Sequence, residues 1–270
     1  MSCRTDKGKF GLEGGAFLPP LALTLHEATT LFLAARMLAK TSDEHDTELI
    51  GAFVKLAQIL PGVLAEHVQA TVDAFAGTPA NPTFTRVFRV LAEAWAGRRI
   101  VEIEYDVGVY DPTKAARRTR VRPLFIEPSA LTHALYLIGF DESRGARRTF
   151  KVERILSASL TPETFEPPAG EAPATELLRA WDVIADEDPI DVVIRFSPSV
   201  AKRAAETRWH PSQEVEEQAD GSLLWRGRIS GVREIRIWIM GWGADAEVLE
   251  PASLREDLAA ELSRAAALYR

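Results

Sequence analysis

Apolar positions recur at three- and four-residue steps through the first part of the chain. Leu25, Ala28, Leu31, Phe32, Ala35 and Leu38 form one such run, and Leu49, Phe53, Leu56, Ala57 and Leu60 form the next; each is the stripe of an amphipathic helix. Thr24 with Glu27, and Thr41 with Glu44, stand at capping-box spacing ahead of the two runs, and Pro61-Gly62 closes the second. Residues 63–75 and 84–96 continue the helical period, so three or four helices are expected over 21–97. At Gly97 the period changes from 3.6 to 2. Val101, Ile103 and Tyr105 alternate with Glu102 and Glu104, the in/out pattern of a half-buried antiparallel strand. Further runs at 117–126, 134–141, 147–153 and 155–165 bring the total to five short strands over 98–166, a set that suits a small barrel.

Pro167-Pro168 to Pro173 opens a linker expected to reach residue 188, with a short helix over 175–185. Residues 189–270 then follow their own order. A strand at 190–196 leads into a helix from Ser197-Pro198 through Thr207, with Ser as N-cap and Pro at N1. Strands at 213–218 and 222–229 flank an Asp220-Gly221 turn. Val232, Ile235, Ile239 and Trp242 share a helical face, 246–250 is a strand, and 251–269 a last helix. The order β-α-β-β-α-β is the ferredoxin-like split arrangement. The expected fold class is therefore α+β: a helical linker unit, a small five-stranded barrel and a ferredoxin-like βαββαβ domain. Residues 1–20 are glycine-rich, end in Pro19-Pro20 and show no helical period.

With 270 residues, the chain can bury two or three cores. Its single cysteine, Cys3, excludes an intramolecular disulfide, and no Cys/His spacing fits zinc. His26, His45 and His67 lack partners at metal spacing. No apolar run fits a signal peptide or a membrane span. These features predict a cytoplasmic protein without metal or cofactor. The inventory also argues against an enzyme, since nucleotide-binding glycine loops, a nucleophile elbow and a His-x-x-x-His pair are all missing from the sequence.

Charge changes the picture locally. The whole chain carries −7, yet from Lys114 to Arg154 ten basic residues face only Glu127, Asp141, Glu142 and Glu153, giving 10 − 4 = +6. Alternation sends Arg118, Arg120 and Arg122 to one face and Thr119, Val121 and Pro123 to the other. It likewise separates Arg148, Phe150 and Val152 from Arg147, Thr149 and Lys151, and sets Leu135 opposite Tyr136 on a strand apolar on both faces. Arginine presents a planar five-donor fork matched to phosphate or carboxylate, and a neighbouring ring can stack a base. Tyr105, His133 and Tyr136 with Arg120, Arg148 and Arg154 are the candidate ligand-binding set. Plainer readings stand beside it: Tyr105 as the end of a core strand, Arg154 as the ion-pair partner of Glu153 or a neighbour, and His133 as simply exposed.

Val101, Ile103 and Tyr105, then Arg120 to Pro123, Leu135-Tyr136-Leu137, Arg148-x-Phe150 and Arg154-Ile155 resemble the WYL domain of bacterial transcriptional regulators. Leu135 stands where the tryptophan of that signature would be. Gly241-Trp242-Gly243, Val248 to Pro251 and Leu254-Arg255 resemble the WCX extension that follows such domains. The resemblance implies an Sm-like or SH3-like barrel that binds an anionic, nucleic-acid-like effector, possible forms being a single-stranded nucleic acid or a nucleotide, through the six residues just named. It implies a homodimer paired through the C-terminal part, where Trp238 and Trp242 beside Ile235 and Ile239 offer apolar surface. It also implies that residues 1–20 are the end of a winged-helix wing before Leu18-Pro19-Pro20-Leu21, so that DNA would be reached only through a winged-helix region not contained in this sequence. Two other readings remain: a self-standing nucleic-acid-binding accessory module, and a non-catalytic interaction protein.

Overall fold

The computed structural model describes residues 22–40, 47–77, 79–108, 112–129, 131–166, 177–184 and 188–270. They fall into two compact units, Met1–Pro168 and Ala169–Arg270.

In the first unit, helix α1 (Leu25–Lys40) begins with the expected capping box. The Glu27 carboxylate accepts the Thr24 N–H at 2.7 Å, and the Thr24 hydroxyl accepts the Glu27 N–H at 3.3 Å, pairing two donors that a helix start otherwise leaves orphaned. The second expected box, Thr41 with Glu44, lies outside the described residues. Helices α2 (Thr47–Ala57) and α3 (Gly62–Ala76) pack on α1 around Phe32, Phe53, Val68, Val72 and Phe75. Phe53 meets Phe32 edge-on at 5.8 Å and stacks on Phe75 at 6.3 Å. His67 faces the Arg36 guanidinium and sets its ring edgewise against Phe32. His26 is exposed, and His45 lies outside the described residues.

Helix α4 (Pro82–Ala96) starts at Asn81, whose side chain accepts the Phe84 N–H at 2.8 Å, with Pro82 at the first helical position. Its apolar face does not join the helical core. Val87, Leu91 and Ala94 instead pack with Val101, Ile103, Val121, Leu137, Phe150, Val152 and Ile155 of the sheet. That sheet consists of β1 (Arg99–Tyr105), β2 (Arg117–Ser129), β3 (Ala134–Asp141), β4 (Ala146–Lys151) and β5 (Ile155–Thr164). Every pairing is antiparallel, in the order β4-β3-β2-β1-β5.

Connectivity dictates its shape. β4 and β5 are the two ends of the order, yet only the 3-10 turn Val152–Arg154 joins them. In a flat sheet they would lie about 19 Å apart, four steps of about 4.8 Å, while the extended chain from Lys151 to Ile155 reaches about 14 Å. The sheet therefore curls. A hydrogen bond from the Lys151 N–H of β4 to the Tyr105 hydroxyl of β1, 3.2 Å long, crosses the curl. This turn also shortens the strand expected over 147–153: the chain has to leave β4 after Lys151 to reach β5, and Val152 drops into the core. On β3 the fully buried leucine is Leu137, while Leu135 is half-buried at the edge of the core. The packing weight expected of Leu135 thus rests on its neighbour two places on. Gly139 lets β3 close on β2 beside the register shift between Pro123 and Phe125; a Cβ there would sit 2.4 Å from Val121 Cγ1 and 2.8 Å from the Arg122 carbonyl oxygen.

The second unit is an antiparallel sheet of β6 (Ile190–Phe196), β7 (Glu214–Glu217), β8 (Leu223–Ile229) and β9 (Ala246–Glu250), in the order β7-β8-β6-β9. Helices α5 (Ala201–Ala205), α6 (Val232–Met240) and α7 (Ala252–Ala267) complete the β-α-β-β-α-β order with its final helix. α5 starts later than Ser197-Pro198 suggests. The Ser197 carbonyl accepts the N–H groups of Val200 and Ala201, and its hydroxyl bonds to Asp245 Oδ1 at 2.5 Å, so that side chain is turned away from a cap.

Residues 177–184 fall in the span expected to be linker and short helix. Beyond Leu177 they run as turn, bridge and bend, and they pack into this unit. Ala180 bridges Ser230, Val183 is buried, and Trp181 lies 4.7 Å from Trp238 and 5.9 Å from Trp225. The Glu234 carboxylate of α6 accepts the N–H groups of Asp182, Val183 and Ile184 at 3.0 to 3.2 Å. Trp238 and Trp242, expected as outward apolar surface, turn inward instead. Trp238 lies within 6 Å of Trp181, Trp209, Trp225 and Trp242, and Trp242 packs on Phe196. Aromatic edges and faces attract one another at these separations. The exposed apolar residue of α6 is Ile237.

Candidate ligand face on the five-stranded sheet

β2 presents Arg118, Arg120 and Arg122 on one face, opposite buried Thr119, Val121 and Pro123. The topology brings acids to meet them from distant parts of the chain. Glu104 of β1 lies 3.7 Å from Arg118. Glu163 of β5 accepts from Arg120 at 2.7 Å, and Glu142, just past β3, lies 3.3 Å from Arg120 and 3.0 Å from Arg122. The hydrogen bond to Glu163, with the charges of Glu163, Glu142 and Glu102, raises the Arg120 pKa further above its already high value. Arg120 and Arg122 are about two-fifths exposed, so solvent and solutes reach both guanidinium groups.

Behind this face lies a buried carboxylate. Asp141 is closed to solvent and accepts from the Thr119 hydroxyl at 2.5 Å, the Ser143 hydroxyl at 2.7 Å, the Ser143 N–H at 3.0 Å and Arg117 at 2.8 Å. Burial is the largest single influence and pushes its pKa up. The hydrogen bonds from Thr119 and Ser143 and the Arg117 charge together outweigh it, so the carboxyl titrates below the usual range.

The six residues expected as one ligand set are spread along this sheet. Tyr105 and Tyr136 converge on Lys151. The Tyr105 hydroxyl accepts its N–H, and Tyr136 pairs directly across from it, with its own hydroxyl 2.9 Å from Thr132 Oγ1. The Tyr105 ring also meets Phe150 edge-on at 5.3 Å, at the rim of the core. Arg154 sits half-buried in the 3-10 turn that follows, and its carbonyl accepts the Asp106 N–H. His133 is exposed in the turn before β3, with a left-handed φ of 52°. Arg148 lies across from Gly139, has the strand parity of buried Phe150, and donates to the Arg147 carbonyl at 2.9 Å. Arg120 stands apart from Tyr136, seven residues along β2 from Glu127, the partner of Tyr136, and beyond the register shift.

The candidate set drawn from the sequence left out Arg122, Phe140, Glu142 and Glu163. Arg122, Phe140 and Arg147 are register partners across β2, β3 and β4, and the Arg122 guanidinium carbon lies 5.4 Å from the Phe140 ring centre. Their alternation was legible, but the register that puts them side by side was not. Among the described residues, no group of three His, Cys, Asp or Glu is placed to hold a metal, and no helix is long and apolar enough to cross a membrane.

Comparison with known proteins adds two domain matches, one relative by sequence and two similar solved structures. The model of the WYL domain matches residues 86–160, and that of the WCX domain residues 188–266. Protein PafC of two Mycobacterium tuberculosis strains is 25% identical over 240 residues, covering 88% of this chain and 69% of the relative. Among solved structures, proteasome accessory factor B/C (PafBC) of Arthrobacter aurescens aligns over 93% of this chain at 19% identity and TM-score 0.38, and this chain spans 37% of its length. A CRISPR Cas-related protein aligns over 94% of this chain and 88% of its own, at 10% identity and TM-score 0.50, a likeness of fold alone.

Proposed function

We propose that this chain, in which a WYL domain is followed by a WCX domain, is the effector-sensing and dimerising portion of a bacterial transcriptional regulator. In this reading the curled five-stranded sheet is an Sm-like barrel that binds an anionic, nucleic-acid-like ligand in the cytoplasm. The second unit is a ferredoxin-like pairing module, and the helical unit carries the signal toward a DNA-reading domain. The function is recognition rather than catalysis.

The observation that carries the reading is the state of Arg120 and Arg122. Their forks are half-exposed and already engaged by carboxylates, the same donor geometry that a phosphate accepts. A ligand phosphate can replace Glu163 or Glu142 without burying a new charge. Arg120→Ala is expected to weaken binding of a short single-stranded oligonucleotide by about 1–3 kcal/mol, with a salt dependence that falls by about one phosphate contact. A salt-dependent fluorescence titration reads both quantities. Wild-type protein that retains no oligonucleotide or nucleotide at low salt would remove the reading.

Pairing through the second unit rests on Ile237 and Leu262, both exposed and each the chain neighbour of a residue in the Arg236–Glu261 ion pair of 2.8 Å. Sedimentation at micromolar concentration is expected to show a dimer that Ile237→Glu dissociates. A single species of monomer mass for the wild type would count against it.

A further inference from the structure

We infer that residues 177–184 are a releasable strap, whose lifting from the second unit opens the indole cluster and lengthens the chain that joins the two units.

The strap is fastened at few points. The Arg179 carbonyl accepts the Ser230 N–H at 2.6 Å, the Trp181 N–H donates back to the Ser230 carbonyl at 3.0 Å, and the bridge of Ala180 to Ser230 stands outside the strand ladders. Glu234 holds the other end through the N–H groups of Asp182, Val183 and Ile184. The seat is kept clear at Gly231, where a Cβ would come within 2.8 Å of Glu234 Oε2 and 2.9 Å of the Ile184 carbonyl oxygen. Between the two fastenings Trp181 enters the cluster, stacked on His210 at 6.2 Å and meeting Trp225 and Trp238.

The polar pairing of this seat is unfinished. Among the described residues, each of the three rings that Trp181 meets carries a buried nitrogen without a hydrogen-bond partner: His210 Nε2, Trp225 Nε1 and Trp238 Nε1. His210 Nδ1 accepts the Ser212 N–H at 3.1 Å, which puts the proton of the neutral ring on Nε2. All three are then donors. Burial lowers the His210 pKa against the pull of the Ala180 and Arg179 carbonyls, neither of which completes a hydrogen bond to Nε2. A buried donor without an acceptor is a standing cost to the docked state, and water removes it once the strap is lifted. Lifting also returns Glu234 to water and relieves the burial that raises its pKa.

Docking thus gains the burial of Ala180 and Val183, the ring contacts of Trp181 and the clasp of Glu234, while it shuts three donors from water. A strap that never left its seat would have these donors paired, as most buried polar groups are. The balance is that of a segment opening by itself, below the free energy of global unfolding. The first unit ends at Pro168, so the lifted strap adds its own length to the connection, about 26 Å at about 3.3 Å per residue.

The test uses the full chain and two readouts, amide hydrogen exchange and limited trypsin digestion, each in water and in low urea. Arg179 is the sole lysine or arginine between Arg154 and Arg195, so a cut after it reports the strap. Its carbonyl is held by Ser230, and cleavage follows the lifted population. The amides of Asp182, Val183 and Ile184 are expected to exchange about 100-fold or more faster than those of the β6–β8 pairing, with little dependence on urea. Cutting after Arg179 is expected to share that weak dependence. Glu234→Ala is expected to speed both strap readouts by about 10- to 100-fold, the loss of one to two strong hydrogen bonds. Strap amides and the Arg179 cut that follow the β6–β8 amides in rate and in steep urea dependence would show that the strap leaves only when the whole unit unfolds, and would overturn the inference. So would a folded Glu234→Ala variant with wild-type rates. The urea dependence of the wild type decides the matter even where the variant unfolds.

Discussion

Asp141→Ala is expected to cost about 4 kcal/mol of folding stability, in the range found for breaking a buried charged pair. The carboxylate is closed to solvent and is the common acceptor for Thr119, Ser143 and Arg117. Removing it strands two hydroxyls, one backbone N–H and one guanidinium at the end of β3. The aspartate also ties β2 to β3 where Val121 pairs with Asp141, so the loss falls on the sheet core rather than on a loop. Asp141→Asn keeps the shape but loses the charge and an acceptor, and should fall between the two.

The pH dependence has a definite sign. Because the folded carboxyl titrates below its ordinary value of 3.8, its contribution is fully present above that value and is lost as pH falls through the depressed folded value. Urea melts at neutral pH and through the acid range are expected to show a stability drop in the wild type that Asp141→Asn lacks. Equal midpoints for wild type and Asp141→Ala at neutral pH would show that the network adds nothing.

The second large effect is expected at Glu234. Glu234→Ala removes the acceptor for three consecutive N–H groups of Asp182, Val183 and Ile184, and buried donors left unpaired cost about 1–3 kcal/mol each before relaxation. Part of that is recovered because the 182–184 backbone can move toward water, so a net loss of about 3 kcal/mol is expected. Burial raises the Glu234 pKa despite those three hydrogen bonds. In the window above the ordinary value of 4.5 the folded form therefore holds its proton more than the unfolded form does. Stability from this group falls as pH rises there, opposite in sign to Asp141. Tryptophan fluorescence reports it directly, since Trp181 leads into the held segment. Glu234→Ala with an unchanged midpoint and emission would rule out the clasp.

Period and punctuation made the elements legible in the sequence. The stripe from Leu25 and its Thr24–Glu27 box give α1, and the alternation of Val101, Ile103 and Tyr105 gives β1. Local chemistry is enough for such features. What remained hidden depended on chain reversals. The basic stretch has a net charge of +6 when counted along the sequence. Glu104 and Glu163, from outside that stretch, return to Arg118 and Arg120 only once β1, β2 and β5 are assembled. Ser197 has the chemistry of an N-cap, but Asp245 reaches its hydroxyl first. Trp238 and Trp242 lie on an apolar helical face, and nothing local says that Trp181 and Trp209 would come to cover it. The candidate set is a mixture of the two cases: each residue was found by its type, but their grouping depends on register.

The fastening of residues 177–184 bears on where this molecule can be cut. The WCX match begins at residue 188, yet Val183, Ala180 and Trp181 contribute to the interior of the second unit, and the Glu234 carboxylate is spent on their backbone. A fragment designed from the matched span alone would leave Glu234 buried without its donors and one side of the indole cluster open to water. The heritable module and the piece that folds have different borders here. A fragment meant to stand alone has to start no later than Leu177.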